Sequence, residues 1–138
     1  MEGATTGRRD VAVGVDVGGT KIAAGLVAAD GSVVERVVVA TPADQSAAIV
    51  PRIVEAVAGL ARRHRLDGVP VGVGAAGLVD RDGVVRYAPN IAWIDYPLRA
   101  ELERHLGGSV RVDNDANVAA WGEFCVGRAA RAATRCSW

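Results

Sequence analysis

Asp16-Val17-Gly18-Gly19-Thr20-Lys21 lies between two apolar runs, Val11–Val17 and 22–27. In the first run Val11, Val13, Val15 and Val17 alternate with other residues, the two-residue period of a strand. The second run predicts a strand over 21–29, so the Gly-Gly turn joins two strands. Glycines let a backbone approach an anion with no Cβ in the way. Exposed N–H groups, the Thr20 hydroxyl and the Lys21 ammonium add donors and positive charge. The Asp16 carboxylate at the strand end is suited to hold a hydrated Mg²⁺ against the same phosphates. A Walker-type loop would run into a helix, whereas here a strand follows, so phosphate would be gripped at a hairpin. On these residues alone a plain hairpin turn remains open.

Working outward, Asp30-Gly31 is a hairpin signal, and the β-branched run 32–40 predicts a third strand. Three strands joined by tight turns make an antiparallel meander. Thr41-Pro42-Ala43-Asp44 breaks the pattern. Val50, Ile53, Val54, Val57, Leu60 and Ala61 then fall at helical spacing, which predicts an amphipathic helix over 44–65. Pro51 requires that helix to start late or bend. A short buried strand over 69–75 follows. Asp82-Gly83 marks a turn before a strand at 84–87. Leu98, Leu102 and Leu106 share one side of a predicted helix over 97–106. A strand at 109–112 and a helix of small apolar residues at 115–127 complete the order.

A meander followed by strand–helix crossovers predicts an α/β fold, a mixed sheet with helices on its faces. This is the ribonuclease-H-like arrangement found in each lobe of actin-like ATPases and sugar kinases, here with a mixed five-stranded sheet and flanking helices. The expected organisation is a disordered lead-in at 1–10, one lobe at 11–127 and a tail at 128–138.

The 138 residues carry no formal net charge, so the composition does not suggest an electrostatic nucleic-acid binder. Half are apolar and only 4% aromatic, which implies a core of Val, Ala, Leu and Ile around glycine. Lys21 is the sole lysine, which draws mild attention to the turn. Cys125 and Cys136 form neither a disulfide framework nor a zinc motif. His64 and His105 read as solvated helix-end residues. No apolar run resembles a signal peptide or a membrane span, and the expectation is a soluble, cytoplasmic protein without a membrane partner.

Two further segments carry chemistry. Val112-Asp113-Asn114-Asp115-Ala116-Asn117 runs from a strand into a helix and clusters carboxylates and amides at a strand's carboxyl end, where α/β ligands bind. Asp113 or Asp115 serves equally as a helix N-cap, and a capping carboxylate can also take a proton from an attacking hydroxyl. In Tyr87-Ala88-Pro89-Asn90-Ile91-Ala92-Trp93, Asn90 on a loop can bond a polyol and Trp93 can offer an apolar face; a surface turn with a packed Trp is the alternative.

These segments together resemble the ROK family of bacterial sugar kinases and repressors. The resemblance rests on Val15-Asp16-Val17-Gly18-Gly19-Thr20-Lys21-Ile22-Ala23-Ala24-Gly25 and Val71-Gly72-Val73-Gly74-Ala75-Ala76-Gly77-Leu78-Val79-Asp80. It rests equally on Ala88-Pro89-Asn90-Ile91-Ala92-Trp93 and Asp113-Asn114-Asp115-Ala116-Asn117-Val118-Ala119-Ala120. It implies ATP-dependent phosphorylation of a hexose, with glucose to glucose 6-phosphate the expected reaction of a glucokinase-type phosphotransferase. By position it makes Asp16, Gly18, Gly19, Thr20 and Lys21 the ATP-phosphate and Mg²⁺ loop, with Asp16 acting on the metal through water. Asp115 becomes the general base toward the sugar hydroxyl; Asn90, Asn114, Asp115 and Gly77 become sugar-pocket residues. Ala76 stands where the family usually has Pro.

The resemblance further implies a homodimer or tetramer and a second lobe. That lobe would bring another glycine-rich loop, most of the adenosine site and a Cys-rich zinc motif, none of which these residues contain. The segment 127–138 does not look like the apolar strand expected there. Codons for it read in another frame fit that strand better, so 128–138 is expected to be an aberrant, out-of-frame tail on a truncated kinase of little or no activity. A sugar-sensing regulator or a non-catalytic sugar-binding lobe is the alternative.

Overall fold

The computed structural model of the chain describes residues 11–42 and 44–114. The expected segments at 1–10, 115–127 and 128–138 lie outside the described residues. The main sheet has five strands in the order β3-β2-β1-β4-β8. Its members are β1 (Val11–Val17), β2 (Lys21–Ala28), β3 (Val33–Ala40), β4 (Val71–Ala75) and β8 (Val110–Asn114). β1 runs antiparallel to β2 and parallel to β4, and β8 runs parallel to β4. This is the ribonuclease-H-like, actin-like lobe that the order of elements predicts. The turn after Asp30 is held by its carboxylate, which accepts from the Ser32 amide at 2.9 Å and the Ser32 hydroxyl at 2.7 Å.

The alternation of β1 becomes two faces. Val13, Val15 and Val17 are buried, whereas Gly14 and Asp16 on the other face are exposed. Against the buried face packs α1 (Ile49–Arg63), which buries Ile49, Val50, Ile53, Val57 and Leu60. Pro51 leaves the helix unbroken from Ile49 to Arg63. A 3₁₀ turn at Ser46–Ala48 precedes the helix, so the proline falls in the first helical turn, where an N–H has no intrahelical acceptor. The helix is therefore shorter than the predicted 44–65. At its far end Arg63 and His64 both reach Glu35 on β3: Arg63 Nη2 lies 2.8 Å from Oε2, and His64 Nε2 lies 2.8 Å from Oε1. These bonds hold the Glu35 carboxyl below the usual range, Arg63 contributing most.

α2 (Leu98–His105) completes the same layer, with Leu98 and Leu102 fully buried in the common core. Between β4 and α2 the chain forms a second sheet, of which the sequence predicts only the strand at 84–87. β5 (Leu78–Val79), β6 (Val85–Ala88) and β7 (Trp93–Tyr96) pair antiparallel in that order. Arg86 ties it laterally, reaching Asp80 at 2.9 Å and Asp95 at 3.1 Å. Trp93 does not offer an apolar face to a ligand. It is 1% exposed and stacks on Tyr96 with ring centroids 4.9 Å apart, because the β6–β7 turn folds it into the core. Among the described residues no helix is long and apolar enough to cross a membrane.

Candidate functional site

The carboxyl ends of three parallel strands meet at one edge of the main sheet. The register sets Asp16 of β1 beside Gly74 of β4, and Gly74 beside Asp113 of β8. Two strand spacings place the two aspartates about 10 Å apart. Gly74 between them contributes no side chain. Asp16 emerges on the face away from α1, because it neighbours the buried Val15 and Val17. Lys21 emerges on that face as well, one residue before the buried Ile22. β8 runs two residues further than the predicted 109–112, so Asp113 and Asn114 are strand residues with fixed direction.

The next row is Val17, Ala75 and Asn114. Asn114 Nδ2 donates to the Gly77 carbonyl at 2.7 Å, and its amide donates to Asp113 Oδ1 at 2.7 Å. Two of the predicted sugar-pocket residues are thus bonded directly. Gly77 could not be another residue without movement. A Cβ there would overlap the Tyr87 carbonyl and lie 2.9 Å from Ala88 Cα, so its lack of a side chain lets β5 close on β6.

The predicted phosphate turn connects β1 and β2, closed by the Gly18 amide donating to the Lys21 carbonyl at 3.0 Å. Gly19 touches the predicted sugar loop: a Cβ on Gly19 would lie 2.7 Å from Asn90 Cβ and 3.2 Å from the Asn90 carbonyl oxygen. The structure therefore brings Asp16, Gly18, Gly19, Thr20, Lys21, Asn90, Gly77 and Asn114 to one edge. Asn90, Thr20 and Lys21 are exposed there. Asp115, the predicted base, lies outside the described residues; it is the residue that follows Asn114 in the chain.

The sequence reading did not place two contributors. Asp113 belongs to the carboxylate cluster that the sequence places at a strand's carboxyl end, but its place in one row with Asp16 follows only once β8 is extended. In the sequence Thr41 stands in a break between elements. Its amide donates to the Thr20 carbonyl at 2.9 Å and its hydroxyl to the Gly18 carbonyl at 2.9 Å.

Chemically, this edge offers a glycine turn with a hydroxyl and an ammonium, two carboxylates in one row, and two amide side chains. Mg²⁺ keeps several waters and takes one or two protein carboxylates, so Asp16, with Asp113 in its row, fits such an ion. Among the described residues no three His, Cys, Asp or Glu side chains cluster as a denser metal site would require.

Comparison with known proteins gives a consistent picture. A model of the ROK family matches residues 12–135. The glucokinase of Streptomyces coelicolor is 47% identical over 116 residues, covering 83% of this chain and 36% of that protein. An N-acetyl-D-glucosamine kinase of Escherichia coli O1:K1 is 39% identical over 111 residues, covering 80% of this chain and 36% of its own length. Among solved structures, a ROK family glucokinase from Streptomyces griseus in complex with glucose and AMPPNP aligns with a TM-score of 0.76. It is 47% identical, and the alignment covers 85% of this chain and 37% of that one. The chain thus spans about a third of the length of the curated relatives it matches.

Proposed function

From the premise that this chain belongs to the ROK family, we propose that it supplies one wall of a sugar-kinase cleft and serves ATP-dependent phosphorylation of a hexose, glucose in the first instance. The observation that carries the reading is the meeting of the two predicted sites: Gly19 of the phosphate turn packs on Asn90 of the sugar loop, and Asn114, in the row of Val17, bonds Gly77. A γ-phosphoryl group on the turn would then lie next to a hydroxyl held by the amides. Juxtaposing reactants in this way is the largest part of catalysis in phosphoryl transfer, together with neutralising phosphate charge.

In this reading Gly18, Gly19, Thr20 and Lys21 bind and orient the ATP phosphates, and Asp16 faces the metal through water. Mg²⁺, when bound, neutralises charge on the phosphates. Asn90 and Asn114 orient the sugar, with Gly77 lining its pocket, and Asp115 accepts the proton of the attacking hydroxyl. The relatives' names support a sugar kinase in general, and the glucokinase identities favour glucose.

A titration of the ¹⁵N-labelled chain tests the proposal. Glucose is expected to shift the amides of Gly77, Asn90 and Asn114, and MgATP those of Gly18, Gly19 and Lys21. Amides that move with neither ligand at millimolar concentration would refute it. In a coupled glucose–ATP assay the chain is expected to show little or no turnover; substantial turnover abolished by Asp115→Asn would overturn that expectation.

A further inference from the structure

The phosphate turn is tethered from behind by a residue that no motif assigns. Thr41 follows the last residue of β3, and the register that pairs Ala40 with Lys21 delivers it to the back of the turn. From there it makes two bonds of different kinds. Its backbone amide donates to the Thr20 carbonyl, and its side-chain hydroxyl donates to the Gly18 carbonyl, each at 2.9 Å. The first could be made by any residue except proline. The second needs a hydroxyl at this position.

The consequence follows from peptide geometry. In a trans peptide the C=O of one residue and the N–H of the next point in opposite directions. Drawing the Gly18 carbonyl toward Thr41 turns the Gly19 N–H away from β3. Drawing in the Thr20 carbonyl turns the Lys21 N–H away likewise. Oriented N–H groups in a turn are what bind an anion. Donors already aimed at the anion need no reorganisation when it arrives. Gly18 and Gly19 have no side chains to fix their own peptide planes, so an external tether has more effect here than it would in a turn of bulkier residues.

We infer that Thr41 is a positioning residue for nucleotide phosphate: its hydroxyl, bonded to the Gly18 carbonyl, holds the Gly19 amide toward the anion. This inference rests on the function proposed above, and the test separates the two. The full chain, its Thr41→Val variant and its Thr41→Ser variant are titrated with MgATP and, separately, with glucose, following amide shifts. Valine keeps the branched shape and the backbone amide but removes the hydroxyl, and serine restores it.

Thr41→Val is expected to bind MgATP roughly tenfold more weakly, the scale of one net hydrogen bond. Its glucose-dependent shifts at Gly77 and Asn114 should be unchanged, and Thr41→Ser should bind MgATP as the wild type does. Equal MgATP affinity in Thr41→Val, an equal weakening toward both ligands, or no recovery with serine would each overturn the inference. A wild-type chain whose turn amides ignore MgATP overturns the proposed function, and this inference with it, before any substitution is made. If Thr41→Val does not fold, the wild-type Thr41 hydroxyl proton decides. It is expected to exchange slowly enough to be observed and to shift on MgATP addition, and a hydroxyl resonance that does not move overturns the inference.

Discussion

Replacing Gly77 with alanine puts a single methyl group where the structure has no space. The new Cβ would overlap the Tyr87 carbonyl oxygen and lie 2.9 Å from Ala88 Cα and 3.2 Å from Ala88 Cβ. Two of these three neighbours are backbone, in a strand paired on both sides, so no rotamer change relieves the contact. Overpacking of this kind costs about 1–3 kcal/mol. Part of the shift would also lengthen the 2.7 Å bond from Asn114 to the Gly77 carbonyl, worth about 0.5–1.5 kcal/mol net. A total of about 2–3 kcal/mol, at roughly 2.1 cal/mol/K of unfolding entropy per residue, corresponds to a fall in Tm of about 7–10 °C for a chain of 138 residues. Gly14→Ala is the internal control: a Cβ there meets nothing within 4 Å. Its expected effect is neutral, or stabilising by about 0.4–1 kcal/mol through the unfolded chain. Thermal and urea unfolding of both variants check the pair. If Gly77→Ala melts within 2–3 °C of the wild type (about the smallest shift expected per kcal/mol), or no lower than Gly14→Ala, the close approach of β5 to β6 is wrong.

Gly19→Ala sets a Cβ 2.7 Å from Asn90 Cβ, on an exposed loop that can yield, so binding of both MgATP and glucose should weaken with little loss of Tm; titration calorimetry reads this, and Gly19→Ala with Asn90→Gly should recover MgATP binding. The Glu35 carboxyl is held below its ordinary value by Arg63 and His64, so it contributes stability above the unfolded value that is lost as pH falls through the lowered folded value. Accordingly Glu35→Gln should flatten the acid side of the stability–pH curve below about pH 4.3, and an unchanged curve would count against the cluster. Leu102→Ala empties a fully buried site between α2 and the sheet and should cost about 2–5 kcal/mol in urea unfolding.

Much of the main sheet was legible because its turns announce themselves. Gly18-Gly19 and Asp30-Gly31 punctuate valine-rich runs, and the helix between β3 and β4 shows its buried stripe in Ile53, Val57 and Leu60. Of the second sheet only the middle strand, after the Asp82-Gly83 turn, was legible. Its first strand is two residues long, and Pro89-Asn90 cuts the last strand off from the middle one, so neither flanking strand carries a strand period of its own. Trp93 illustrates the same gap, since whether an aromatic beside a loop faces a ligand or the core depends on how β6 and β7 turn. Residue type and resemblance point to the site residues one by one, and only the fold brings them together. Gly19 has an ordinary negative φ, and its reason for being glycine is Asn90, seventy-one positions later in the numbering. Thr41 escaped notice for a like reason, because only the β2–β3 register brings it to the turn.

The central place of β1 also has a consequence during synthesis. β1 can pair with β2 as soon as the hairpin leaves the ribosome, but its other edge waits for β4, which is made only after β3 and α1. At about 5–20 residues per second that edge stands unpaired for several seconds. A bare strand of alternating valines is a template for pairing with another nascent chain. Gly14 and Asp16 interrupt it: one weakens the strand, and the other sets a charge on its exposed face. The carboxylate proposed to face phosphate thus also sets a charge against edge-to-edge pairing while the polypeptide is still being made.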